Sequence, residues 1–129
     1  MPLSTDLSCP RITTSSEGLS LSRIVAGMWR MADWGMSVDQ RIAFIEQCIA
    51  IGVTSFDHAD IYGDYQVECL FGEALKQHPG LRQRIELVSK CGIKLLSPQR
   101  AQHSIKHYDT GAAHITASVD ESLRQLRTD

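Results

Sequence analysis

Phe56-Asp57-His58-Ala59-Asp60-Ile61-Tyr62-Gly63 decides how the rest of the chain is read. A short β-prone run, Val53-Thr54-Ser55-Phe56, leads into it, and a helical pattern follows it. An acid, Asp57, and a phenol, Tyr62, therefore fall in the turn after a strand. The next strand-like run, Ile85-Glu86-Leu87-Val88-Ser89, ends on Lys90. Neighbouring strands of a sheet lie about 4.8 Å apart. In a parallel sheet the C-terminal ends of these two strands bring acid, phenol and amine together.

Upstream of this stretch, residues 1–10 are polar and irregular and are expected to form a flexible tail. Residues 11–23 read as a hairpin: β-prone Ile12-Thr13-Thr14, a turn at Glu17-Gly18, then the alternating Leu19-Ser20-Leu21-Ser22. Ile24-Val25-Ala26 is a short apolar run ending at Gly27, the pattern of a buried parallel strand. Ser37 and Gln40 form a capping box, with Asp39 suited to the helix N-terminus. The helix continues through Ile42, Ile45, Cys48 and Ile49 to Gly52, a residue suited to a left-handed C-terminal turn.

Downstream, residues 66–77 predict a second helix with Val67, Leu70, Phe71, Ala74 and Leu75 on one face, stopped by Pro79-Gly80. Residues 91–113 read as a long polar loop, and loops of that length are often functional. Residues 114–126 predict a third helix with Ile115, Val119, Leu123 and Leu126 at helical spacing. The order is a hairpin, then three strand–helix units: an α/β chain with a parallel sheet and right-handed crossovers. An open doubly wound sheet and part of a (β/α)8 barrel both fit. Gly27-Met28-Trp29-Arg30 is not a Gly-x-Gly-x-x-Gly phosphate loop, which disfavours the dinucleotide-binding open sheet. A complete barrel needs roughly 250 residues, so this chain is expected to supply only its N-terminal portion, residues 11–129, ending before a fourth strand.

Composition sets outer limits. The 129 residues carry net charge −2, with 43% hydrophobic and 22% charged residues, an ordinary globular balance without a basic patch for nucleic acid. No apolar run approaches the roughly 20 residues of a membrane span, and the first residues lack the pattern of a secretory signal. Four cysteines, none in a Cys-x-x-Cys pair, read as free thiols, and the expected location is cytoplasmic. His58 and Asp60 flank the motif without an obvious third metal ligand, and His103 and His107 read as a solvated surface or lid, so no metal site is expected.

Gly27-Met28-Trp29, the Asp57-to-Gly63 motif, Lys90, and the run Ala117-Ser118-Val119-Asp120-Glu121-Ser122-Leu123-Arg124-Gln125-Leu126-Arg127-Thr128-Asp129 together resemble the aldo-keto reductases, most closely a bacterial oxidoreductase branch. The resemblance runs from about Ile12 to Asp129. It implies a TIM barrel that reduces an aldehyde or ketone with NADP(H), with Asp57, Tyr62 and Lys90 catalytic. By the same resemblance Gly27, Met28, Trp29 and Asp57 contact the cofactor, and Trp29 and Trp34 line the substrate pocket. The family's fourth catalytic residue, a histidine at the end of strand four, has no counterpart among the five histidines here.

The chemistry also follows from the residue types. A carbonyl accepting hydride builds negative charge on oxygen, and a proton donor aimed at that oxygen lowers the barrier. A phenol is a reluctant acid, and a neighbouring ammonium makes it a more willing one. Tyr62 is thus the expected acid, Lys90 its tuner and Asp57 the group that orients the lysine. Without strand four the chain is expected to turn over little, and to self-associate through the exposed edge of its third parallel strand. The rival readings are a non-catalytic nucleotide-binding or regulatory module and an inert gene fragment.

Overall fold

The computed structural model describes residues 8–129. Most of the expected N-terminal tail lies outside the described residues; of its last part, the Cys9 amide donates to the Ile51 carbonyl at 2.8 Å. The hairpin forms as read, with β1 (Arg11–Thr13) antiparallel to β2 (Ser20–Ser22). It closes the N-terminal end of the sheet. Ser22 Oγ accepts from the Thr54 and Ser55 amides at 3.1 and 3.0 Å, and Ser55 Oγ accepts from the Ser22 amide at 2.9 Å.

Three parallel strands follow: β3 (Val25–Gly27), β4 (Ser55–Asp57) and β5 (Glu86–Val88), in the spatial order β3-β4-β5. Register sets Gly27 beside Asp57 and Asp57 beside Val88. β4 and β5 are shorter than the runs that predict them, and β3 is shifted one residue later than its apolar run. β3 departs from the expectation of burial on both faces. Ile24 is 63% and Val25 41% exposed, and β3 lies at one edge of the sheet.

The first helix, α1 (Val38–Ala50), has the capping box that the sequence predicts: Ser37 Oγ accepts from the Gln40 amide, and Gln40 Oε1 accepts from the Ser37 amide at 2.9 Å. Gly52 ends the turn at φ +79°, and the Ser8–Cys9 segment passes so close that a Cβ there would meet the Cys9 backbone at 2.9 Å. A short helical turn, α2 (Tyr62–Tyr65), precedes α3 (Val67–Gln77), and α4 (Ala112–Leu126) begins two residues earlier than its apolar spacing predicts. Gly111 caps α4, its amide held by Asp109 Oδ1 at 2.9 Å.

Apolar faces of the helices meet the sheet in a core of Met28, Met31, Ile45, Phe56, Val67, Phe71, Ala74, Leu75, Leu81, Ile85 and Leu126. Phe56 and Phe71 pack at 5.4 Å between ring centroids. Gly72 lets α3 and α4 touch: a Cβ there would lie 2.0 Å from the Gln125 carbonyl oxygen. Arg41 is buried but satisfied, donating to the Leu70 carbonyl and to Glu73 at 2.8 Å.

The expectation of a loop over residues 91–113 is also corrected. The segment 91–113 is not wholly irregular: β6 (Ile93–Lys94) pairs antiparallel with β7 (His107–Tyr108), pinned by a 2.8 Å Lys94–Asp109 ion pair. Strands of two residues carry no periodicity, so the sequence pattern does not announce them.

Candidate active site

Asp57 closes β4, and the backbone beyond it keeps pairing with the extension of β5. The His58 amide donates to the Val88 carbonyl at 2.7 Å and the Asp60 amide to the Lys90 carbonyl at 3.0 Å. The loop bearing Tyr62 is thereby locked to the segment bearing Lys90. On the other side, the Met28 amide donates to the Asp57 carbonyl at 2.9 Å, which holds the end of β3 to the end of β4.

The three expected residues come together. Lys90 Nζ donates to Asp57 Oδ1 and Oδ2 at 2.8 and 2.9 Å and to the His58 carbonyl at 2.7 Å. These contacts fix the amine in place. The same nitrogen lies 5.2 Å from the centroid of the Tyr62 ring. Burial works against the Lys90 charge, but Asp57 and the Tyr62 hydroxyl outweigh it and raise its pKa above the ordinary lysine value. The pair is half exposed, so its worth to stability is about 0–1 kcal/mol. Its consequence is positional.

Tyr62 and Trp29 face one another at 6.5 Å between ring centroids and share a groove of about 360 Å³ with Arg30, Asp33, Gly63 and Leu95. Trp29 is 64% exposed, with the Arg30 guanidinium 5.1 Å over its ring. Open space lies beside Gly27, where a Cβ would meet nothing within 4 Å among the described residues. Tight packing is therefore not the reason for that glycine. Met28 differs from its neighbours: its side chain is in the core, and its amide and carbonyl are both paired. Trp34 packs edge-on against Phe44 of α1 at 5.3 Å and is not among the residues lining this groove.

Several features of the site lie beyond the sequence reading. The chain after Tyr62 is left-handed for three successive residues, Gly63 at φ +60°, Asp64 at +56° and Tyr65 at +65°. Only Gly63 signals this in sequence; the two non-glycine residues store strain. Tyr65 anchors the turn, buried to 6% exposure and accepting the Leu95 amide at 2.9 Å. Behind Lys90, the buried Glu68 carboxylate accepts the Ser89 and Ser122 hydroxyls at 2.8 and 2.9 Å, joining α3, the end of β5 and α4. Burial raises the Glu68 pKa, against the pull of those two hydroxyls.

His58 is fully buried, edge-on to Phe71 at 4.6 Å, and neither ring nitrogen has a hydrogen-bond partner among the described residues. Burial brings its pKa down to about 4 against the opposing charge of Asp57, and Lys90 pushes the same way as burial. It is a neutral core group at pH 7. Among the described residues no three His, Cys, Asp or Glu side chains are placed to hold a metal ion, and no helix is long and apolar enough to cross a membrane.

This arrangement has relatives. A model of the Aldo/keto reductase family matches residues 23–129. The chain is 54% identical over 114 residues to an uncharacterized oxidoreductase of Bacillus subtilis, covering 88% of this chain and 38% of that protein. It is 49% identical over 115 residues to a 6-dehydroglucose reductase of Agrobacterium fabrum, covering 88% of this chain and 39% of that protein. Among solved structures, an aldo-keto reductase from Klebsiella pneumoniae in complex with NADPH superposes with a TM-score of 0.64 at 30% identity, over 91% of this chain and 35% of that one. The chain thus spans well under half the length of these relatives, and its hairpin and three βα units are the N-terminal part of a (β/α)8 barrel. It belongs to the aldo/keto reductase family.

Proposed function

We propose that this chain carries the proton-donating half of an NADPH-dependent carbonyl reductase. Tyr62 gives its phenolic proton to the carbonyl oxygen of an aldehyde or ketone. Lys90 holds positive charge beside the phenol throughout the neutral range, and Asp57 keeps the ammonium in position. The observation that carries this reading is the single lysine that is bidentate on Asp57 and 5.2 Å from the Tyr62 ring.

NADPH, when bound, supplies the hydride. The open space at Gly27, the exposed face of Trp29 and the carboxylate of Asp57 fit a nicotinamide lying beside Tyr62, while Met28 holds the strand end beneath it. The NADPH complex of the Klebsiella pneumoniae relative supports the choice of cofactor, and the 6-dehydroglucose reductase supports a small carbonyl compound as substrate. The unpaired thiols fit a cytoplasmic location.

Turnover by these 129 residues alone is proposed to be slow. The groove is open, both edges of the three-stranded sheet are unpaired among the described residues, and water reaches the reacting atoms. The β5 edge, beside the exposed Val119 and Leu123 of α4, is where copies would associate, at a rising apparent mass in size-exclusion chromatography. The functional test is product accumulation from 4-nitrobenzaldehyde and NADPH, followed by chromatography. Tyr62→Phe is expected to lose about 10²–10⁴-fold in rate with NADPH affinity unchanged within about twofold. Equal rates in the two proteins refute the role of Tyr62, and a rate in the ordinary enzyme range of about 1–10³ s⁻¹ refutes the slow-turnover claim.

A further inference from the structure

A second cavity lies away from Tyr62. It measures about 490 Å³, within the ~300–1,000 Å³ typical of small-molecule sites. It sits between the loop joining β6 to β7 and the first half of α4, and it shares no lining residue with the Trp29–Tyr62 groove. Asp60 lines it, 9% exposed, with Oδ1 buried and lacking any hydrogen-bond donor. A buried acceptor left without a donor is costly and calls for a partner.

The surrounding groups define that partner. The Arg100 guanidinium stacks over the Tyr65 ring at 4.3 Å and spends one donor on the Gln99 carbonyl at 2.8 Å; among the described residues its other donors meet no protein acceptor. His103 Nδ1 faces the Leu95 carbonyl at 2.8 Å. A carbonyl only accepts, so Nδ1 donates to it, and Nε2 is the ring's remaining polar atom. The remaining charges on the wall are already paired, Lys94 with Asp109 at 2.8 Å and Glu121 with Arg124 at 2.6 Å. Among the described residues Asp60 and Arg100 are in no ion pair, and the Arg100 charge acts on Asp60 only at a distance.

An anion would suit Arg100 and be repelled by Asp60. A cation would suit Asp60 and be repelled by Arg100. Hydroxyl groups serve both, donating to Asp60, accepting from Arg100 and the amide of Gln102, and able to take either role toward His103 Nε2. We infer that this cavity binds a neutral polyhydroxylated molecule of monosaccharide size, at a site separate from the Tyr62 groove. The inference does not rest on the carbonyl-reductase reading.

The test is titration of the whole chain with D-glucose and with myo-inositol, read by amide chemical shifts in nitrogen-15 NMR. At least one polyol should saturably shift amides of residues 99–104 and 117–121 and leave the Trp29 indole N–H in place. Arg100→Gln and Asp60→Asn should each weaken that binding about tenfold. Inorganic phosphate and putrescine should need at least about tenfold higher concentration. Arg100 lies on a surface loop, so its variant decides the matter if the buried Asp60 substitution impairs folding. Absence of a saturable shift with both polyols, unchanged affinity in Arg100→Gln, or tighter binding of phosphate or putrescine would overturn the inference. NADPH should shift the Trp29 indole instead, so failure of one reading is visible apart from failure of the other.

Discussion

Acidification should destabilise this fold through a single buried imidazole. His58 is fully buried without a hydrogen-bond partner among the described residues, and its pKa is pushed down from 6.5 to about 4. Above pH 6.5 the ring is neutral in both folded and unfolded chains and contributes no pH dependence. Below it the unfolded chain takes up a proton that the folded chain refuses, so stability falls as pH drops from 6.5 to about 4 and then levels off. The 2.5-unit difference corresponds to about 3 kcal/mol in full, and to about 2 kcal/mol at pH 5. Set against a domain stability of about 5–15 kcal/mol, that is a substantial share.

Glu68 and Asp60 act in the opposite direction. Burial raises both carboxyl pKa values, so the folded chain holds their protons more readily as pH falls. A variant isolates the histidine. His58→Leu keeps an apolar group against Phe71 and removes two unpaired nitrogens, so at pH 7 it should lie within about 1–2 kcal/mol of the native protein. Urea melts of both proteins at pH 7, 6 and 5 should show the native protein losing about 2 kcal/mol more than the variant. Parallel pH profiles for the two proteins would refute the reasoning.

Other outcomes follow from packing and capping. Gly72→Ala drives a methyl group into the Gln125 carbonyl and should cost about 1–3 kcal/mol by parting α3 from α4, seen as a lower urea midpoint. Ser37→Ala removes the side-chain half of the α1 cap and should cost about 1 kcal/mol in the same assay. Glu68→Ala leaves the Ser89 and Ser122 hydroxyls without their acceptor and should cost about 1–3 kcal/mol. The raised pKa of Lys90 makes its ion-pair contribution complete at pH 7; it fades only above about pH 10.4, so native and Lys90→Met proteins should show parallel stability profiles from pH 6 to 9.

Features set by local chemistry were legible in the sequence. Ser37 and Gln40 announce their cap, Gly52 its left-handed turn, and the strand-end positions of Asp57, Tyr62 and Lys90 their convergence. Features set by distant partners were not. In sequence His58 reads only as a metal ligand without partners, and it is the packing of α3 that buries it against Phe71. Glu68 sits among apolar neighbours on α3, and the serines that satisfy it are 21 and 54 residues away. The left-handed Asp64 and Tyr65 depend on Leu95, whose amide fixes the Tyr65 hydroxyl across the fold. Burial of β3 was expected from its apolar run, but an apolar run records what a strand can bury and not whether a neighbour is there to cover it.

Whether Tyr62 and Lys90 act as one proton-donating unit is tested most directly by a double-mutant cycle on carbonyl reduction. Product formation is measured for the native chain, Tyr62→Phe, Lys90→Met and the double variant. If the lysine works only through the phenol, each single variant loses about 10²–10⁴-fold and the double variant is no slower than Tyr62→Phe. Losses that multiply, or a Lys90→Met chain as fast as the native one, would contradict it.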